Sequence, residues 1–216
     1  MKAVYVGAGR LERWVTGFGE RHPGVRAGAY PDRVELTAPD GSTATLYPCF
    51  EPLNGVDGVD GGASSPADLA AALVANANSV PVLRALLIRR GGYACAVVSV
   101  DRVTASKVGS RYVQGRTAAG GWSQQRFARR RDGQVDALVG SATEVAVRIL
   151  LPTSAGDGLI TGGDKPLIDR MLADPRLRSL SGLRRGPHLE IGDPKSDLVK
   201  ALAERARAIR ITLDER

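Results

Sequence analysis

Cysteine and histidine are scarce in this sequence, with two of each in 216 residues. Neither Cys49 nor Cys95 belongs to a Cys-x-x-Cys pair, which argues against a zinc ribbon or a dithiol redox site. Cys95, within "YACAVVSV", reads as a small buried apolar residue. His22 and His188 are too far apart for metal-ligand spacing, so no metal is expected, and no organic cofactor is implied. Long apolar runs are missing as well. None approaches the roughly 20 residues needed to cross a bilayer, which excludes a membrane-spanning helix. The opening "MKAVYVGAGRLERW" is charged too early for a secretory signal. These absences predict a cytoplasmic protein in a reducing compartment, with no membrane partner.

Acid is missing from one long stretch. Between Arg102 and Arg131 stand eight basic residues and no aspartate or glutamate. The chain carries +7 overall, so the remainder nets −1. Positive charge gathered in one place is the footprint of a polyanion partner, although a solvated basic face would also carry it. The rest of the composition is ordinary. A hydrophobic content of 43% supplies one core, or a core with a small companion, and 25% charged residues excludes global disorder.

Patterning divides the chain. "KAVYV" predicts a strand, followed by a helix with Leu11, Trp14, Val15 and Phe18 on one face. "RVELTAPDGSTATLYPCF" predicts a hairpin turning at Asp40-Gly41. "LNGVDGVDGGASSP" has no packing pattern and reads as a linker. Ser65, Pro66 and Asp68 then mark a helix start. "GGYACAVVSV" predicts a strand buried on both faces, and "VTASKVGSRYVQGRT" one or two polar strands. Ala128, Val135, Leu138, Val139, Ala142, Ala146 and Ile149 share one face of a long helix, with Gly133 a candidate kink. "GLITGG" and "HLEIGD" predict strands, and "DKPLIDRMLA" a helix. A last helix is expected from Asp193-Pro194, with Leu198, Leu202, Ala206 and Ile209 inward. The expected fold is α/β, a mixed sheet flanked by helices. An N-terminal α/β extension would occupy residues 1–62, and the main domain residues 63–216.

Three stretches could carry chemistry. "GAGRLE" follows a strand and opens a helix, as a dinucleotide fingerprint does. Glu12 fills its sixth position, where bulk and negative charge oppose a pyrophosphate, so a plain strand–helix turn is the expectation. Gly121-Trp122-Ser123-Gln124-Gln125 nearly matches the serine hydrolase elbow, with Asp157 or Asp164 and His188 following in workable order. Gln125 replaces the last glycine, and the strand before it is polar. The third reading presents the same loop to RNA.

Here "GGWSQQRFARRR" resembles the loop and helix start of the middle domain of eukaryotic and archaeal peptide chain release factors. Gly120, Gly121, Ser123, Arg126, Phe127, Ala128 and Arg129 match that pattern, while Trp122 stands in the glutamine position. The departure is similar to the release-factor-like peptidyl-tRNA hydrolases of ribosome-associated quality control, bacterial members included, whose loop is written G-x-x-Q. Gly121-Trp122-Ser123-Gln124 fits that form, and Gln125 fits a longer spacing. The resemblance covers roughly residues 83–216. It implies a ribonuclease-H-like sheet, peptidyl-tRNA hydrolysis on the large ribosomal subunit, and ribosomal RNA and peptidyl-tRNA as partners. A monomer is expected.

The residue types suit that chemistry. A glutamine amide has no titratable lone pair near neutrality, but it donates and accepts at once and can orient water. Gly120 and Gly121 let the backbone approach a reacting centre closely. Arg111, Arg116, Arg126, Arg129, Arg130 and Arg131 would neutralise phosphates. Trp122 would stack on a nucleotide, or else pin the loop to its own helix. Gln124 is the preferred catalytic amide, with Gln125 the alternative and Ser123 the candidate nucleophile of the hydrolase reading. A non-catalytic RNA-binding protein with an idle loop stays open.

Overall fold

The computed structural model describes residues 2–54, 65–100, 102–113, 122–152 and 158–215. Two compact units emerge from the contacts: Met1–Pro81 with Arg185–Pro187 and Glu204–Arg216, and Val82–Arg184 with His188–Ala203.

The first unit is built on an antiparallel sheet. Its strands are β1 (Lys2–Gly7), β2 (Arg26–Tyr30), β3 (Arg33–Thr37), β4 (Thr43–Tyr47) and β10 (Ala208–Asp214), in the order β1-β10-β4-β3-β2. Helix α1 (Leu11–Arg21) packs on α2 (Pro66–Asn78). Leu11, Val15 and Phe18, spaced for one helical face, are buried, as are Leu36, Leu46, Leu73, Ile209 and Ile211. Each such burial contributes on the order of 2 kcal/mol. The β3–β4 turn falls where the sequence puts it. Gly41 takes φ +86°, a conformation that favours glycine, and the Ser42 N–H donates to Asp40 Oδ1 at 2.8 Å. At the start of α2, Ser65 and Asp68 form a reciprocal capping box with Pro66 in the first turn. Its far end is closed by Arg207, which is buried and donates to the carbonyls of Ala77 at 2.7 Å, Val80 at 2.9 Å and Pro81 at 3.2 Å. The cation thereby meets one last-turn carbonyl of α2, which lacks an intrahelical partner, and two carbonyls of the segment just beyond the helix.

A second sheet consists of β5 (Val82–Arg89), β6 (Gly92–Ser99), β7 (Arg102–Ser110), β8 (Gly158–Gly163) and β9 (Arg184–Leu189), in the order β7-β6-β5-β8-β9. Pairing is antiparallel across β5-β6-β7 and parallel between β5 and β8. Counted from β5 the order is 3-2-1-4-5, which is the ribonuclease-H-like arrangement that the resemblance implies. β5 and β6 are buried on both faces, so their near-continuous apolar sequences are physically required. Gly109 lies opposite Tyr93, and a Cβ there would stand 2.3 Å from the tyrosine ring. The long helix α3 (Trp122–Leu150) lies against β5, β6 and β7, with α4 (Lys165–Leu172) and a 3-10 segment, Pro175–Gly182, beside it. Leu138, Ala142, Ala146 and Leu150 of α3 are buried with Leu86, Ile88, Tyr93, Cys95 and Val97 in one core.

Several expectations need correction. The terminal helix is two short pieces, α5 (Ser196–Lys200) and α6 (Leu202–Arg205), after which the chain becomes β10. Ile209, Ile211 and Thr212 are β-branched, and β10 finds two partner strands, β1 and β4, that lie far away in sequence. β9 covers Arg184–Leu189, earlier than the expected "HLEIGD". Gly133 does not interrupt α3, which runs unbroken from Trp122 to Leu150. Both α2 and β10 belong to the first compact unit.

Candidate nucleic-acid interface

β7 ends at Ser110, and the Arg111 N–H donates to the Gly91 carbonyl at 3.0 Å, continuing the strand's hold on the β5–β6 turn. Residues 114–121, which include Arg116, Gly120 and Gly121, lie outside the described residues. The chain is described again at Trp122, already in α3. Trp122, Ser123, Gln124 and Gln125 therefore occupy the first turn of the helix, ahead of Ala128, where the apolar pattern begins. The first N–H groups of a helix have no intrahelical acceptor and form its positive end. No acidic residue sits in this first turn, so no carboxylate offsets that charge.

The helix then runs away from its own core. Leu138 is the first buried residue among the described side chains of α3. At 1.5 Å per residue, position 124 stands about 21 Å along the axis from Leu138. Arg126, Arg129 and Arg130 on this arm are exposed and Arg131 is half-buried. Among the described residues none of these four arginines forms an ion pair. Of the three carboxylates of α3, Asp132 is exposed beside Arg131, and the other two are committed nearer the root: Asp136 contacts Arg170, and Glu144 accepts from Arg176 at 2.6 Å. Both pairs are solvent-exposed and contribute little to stability. The arm is thus left cationic. Stepping back at helical spacing from Leu138 passes through 135, 131, 128 and 124, so position 124 continues the line of the core stripe. Position 125 falls in line with the exposed residues Arg129, Asp132 and Asp136.

A second basic feature escaped the sequence reading. A cleft of about 640 Å³ is lined by Arg90, Gly91, Gly92, Gly109, Asp193 and Lys195, beside the point where Arg111 is tethered. Its visible signal was the turn "IRRGGY". Its second half comes from the chain before α5, which spacing alone does not bring near.

The other readings fare poorly against the geometry. A hydrolase elbow needs a buried strand turning sharply into a helix. Here β7 is an edge strand, and eleven residues separate Ser110 from Trp122. His188 is engaged elsewhere, with Nδ1 2.9 Å from Thr161 Oγ1 and Nε2 3.1 Å from the Gly163 carbonyl. A carbonyl only accepts, so Nε2 carries the proton, and in the neutral ring Nδ1 accepts from the threonine hydroxyl. The glycine turn near the start follows an edge strand of an antiparallel sheet. A Cβ on Gly7 would lie 3.3 Å from Glu204 Oε1, so a second carboxylate besides Glu12 stands where a pyrophosphate would need to be. Among the described residues no group of three or more histidine, cysteine, aspartate or glutamate side chains could hold a metal. Burial pushes both cysteine thiols up to about 12, which leaves them protonated and unreactive. No helix among the described residues is long and apolar enough to cross a membrane.

Comparison with known proteins adds a family. The acVLRF1 family, described as Actinobacteria/chloroflexi VLRF1 release factor, matches residues 81–212. No curated protein matches the chain. Among solved structures, the archaeal translation termination factor aRF1 is similar at 16% identity, with a TM-score of 0.39 over 78% of this chain and 49% of that one. The chain therefore spans about half the length of that factor. The Vms1 mitochondrial localization core is similar at 11% identity, TM-score 0.37, over 93% of this chain and 76% of that one. The Thermoplasma acidophilum Pelota protein is similar at 13% identity, TM-score 0.29, over 91% and 61%. These are distant likenesses, too low to carry a functional conclusion.

Proposed function

The chain belongs to the Actinobacteria/chloroflexi VLRF1 release factor family, and on that premise we propose that it hydrolyses peptidyl-tRNA on the large ribosomal subunit, freeing stalled nascent chains. One observation carries the reading. Gln124 and Gln125 stand in the first turn of a 29-residue helix whose leading half has no buried residue among those described. The chemistry sits at the tip of an exposed cationic arm, suited to an RNA-walled site that a globular surface could not enter.

The roles divide along the arm. The glutamine amide orients water toward the ester carbonyl, accepting from the water while its N–H₂ donates to the developing oxyanion. Gly120 and Gly121 allow the backbone to pass close to the reacting centre. The uncompensated positive end of α3 favours negative charge where the oxyanion forms. Arg126, Arg129, Arg130 and Arg131, with Arg111 and Arg116, dock the arm on phosphates. Arg90 and Lys195 of the neighbouring cleft extend the same surface.

Peptide release from isolated large subunits bearing peptidyl-tRNA tests the reading. An interaction made only in the transition state lowers turnover and spares ground-state binding. Gln124→Ala should slow release by about a hundredfold or more, the scale of one lost oxyanion contact, while subunit association stays near wild type. Loss in Gln125→Ala alone would move the role to the neighbouring residue. Undiminished release by the double variant would refute the mechanism. A wild-type chain that binds subunits and frees no peptide would make it a non-catalytic RNA-binding protein.

A further inference from the structure

The family match begins at residue 81, and nothing so far gives the first unit a task. Along the edge of its sheet, between β1 and α1, runs a groove of about 500 Å³ lined by Tyr5, Arg10, Arg13, Trp14, Gly17 and Arg21. The geometry points to this groove as a binding site for single-stranded RNA, separate from the arm of α3.

Charge comes first. Residues 10, 13, 14, 17 and 21 fall on one side of α1 at helical spacing, and Glu12 falls on the opposite side. No carboxylate lines the groove among the described residues. Arg13 is exposed and forms no ion pair among them. Arg10 pairs with Glu204 at 2.6 Å and Arg21 with Glu215 at 4.0 Å, but all four side chains are about half exposed or more. Surface pairs of that kind are weak, so a phosphate can compete for either arginine.

Aromatic surface comes second. Trp14 is half-buried and stacks on Phe18, with centroids 5.7 Å apart and planes within 13°. Phe18 holds the indole in place while Trp14 still lines the groove. Gly17 keeps the space beside it open: a Cβ there would meet only Arg21 Nη1, at 3.6 Å. Tyr5, 49% exposed, forms the opposite wall and continues the surface across the sheet. Its cross-strand partner is Arg210, and Arg210 is in turn paired with Tyr47, its guanidinium carbon 4.7 Å from the tyrosine ring centre. The row continues to Arg33 over Tyr30, but Arg33 is already held by Glu35 at 2.6 Å and Asp32 at 3.0 Å. The site is therefore the β1 end of the row. Flat rings beside exposed arginines are what unpaired bases and their phosphates require. A duplex hides its base faces, and an acidic peptide has no use for the rings.

Trp14 and Trp122 are the two tryptophans of the chain, so full-length Trp122→Phe carries one reporter, inside the groove. A mixed-sequence, unstructured RNA octamer should quench its fluorescence saturably. Three arginine–phosphate contacts at about 0.7 each give a slope near −2 in log affinity against log salt. Arg13→Ala, and separately Gly17→Leu, should each weaken quenching about tenfold. Gly17→Leu fills the groove without touching backbone, and thermal melts verify that it folds. RNA that binds the Trp122→Phe chain by anisotropy without quenching Trp14 would overturn the groove and leave the hydrolase reading standing. Quenching unchanged by Gly17→Leu, or matched by duplex RNA or polyglutamate, would overturn it too.

Discussion

Substituting Gly133 separates the arm of α3 from the core it grows out of. Gly133 sits between Gln124 and Leu138, nearer the core end, is exposed, and has nothing within 4 Å of where a Cβ would stand. Packing therefore contributes little to helicity there, and intrinsic propensity decides. Relative to alanine, glycine costs about 1 kcal/mol inside a helix and proline about 3 kcal/mol. Gly133→Ala should stabilise the arm by about 1 kcal/mol with no clash. Gly133→Pro should destabilise it by about 2 kcal/mol relative to wild type, shifting the helical population about 30-fold where the arm is marginal. Since Leu138, Ala142, Ala146 and Leu150 are buried beyond the break, the global melt should barely move. Amide exchange at residues 126–132 should accelerate in the proline variant while residues 138–150 stay protected. Peptide release should fall with the arm, and the alanine variant should match or exceed wild type. Unchanged release and exchange in Gly133→Pro would refute the claim that a rigid arm presents the tip. A global melt lowered as much as arm protection would refute the separation of arm from core.

Two further outcomes follow from the described contacts. Arg129→Ala and Arg130→Ala should each weaken large-subunit binding and flatten its salt dependence by up to about 0.9 per lost phosphate contact, read from binding at several salt concentrations. Salt-independent association would be inconsistent with electrostatic docking. Arg207→Met should cost about 3 kcal/mol or more in denaturant unfolding of the first unit, because three carbonyls at and just beyond the end of α2 lose a partner at about 1–3 kcal/mol each; a loss under about 1 kcal/mol would show that water replaces the guanidinium.

Local rules carried well where they were sufficient. The Asp40-Gly41 turn, the Ser65 capping box and the doubly buried β6 are each specified within a few residues, and each lies where the sequence puts it. The failures involve partners distant along the chain. "LVKALAERARAIRITLDER" carries an apolar spacing that suits a helix, and Leu202, Ala206 and Ile209 are indeed buried. Only the vacancy between β1 and β4, invisible from nearby residues, turns its end into β10. Apart from Arg84 and the terminal Arg89, β5 is apolar, which leaves period two and period 3.6 hard to distinguish. At the candidate site, the release-factor resemblance of "GGWSQQRFARRR" named the glutamines, and the acid-free basic run named the arginines. The run "GGWSQQ" alone does not announce that a helix is already under way at Trp122, which puts positions 124 and 125 on different lines of α3.

The place of β10 bears on the order in which the chain can be made. A ribosome emits β1 to β4 first, yet these strands cannot close their sheet, because the strand that joins β1 to β4 comes only after β5 to β9 in the chain. The second sheet, whose strands all lie between residues 82 and 189, has its full set of strands available earlier. Domains generally fold from the N-terminus as they emerge; here the N-terminal segment waits with an open seam for its final strand. Until β10 has been made, the groove beside β1 has no finished sheet behind it, so any hold this unit takes on RNA waits for residues 208–214.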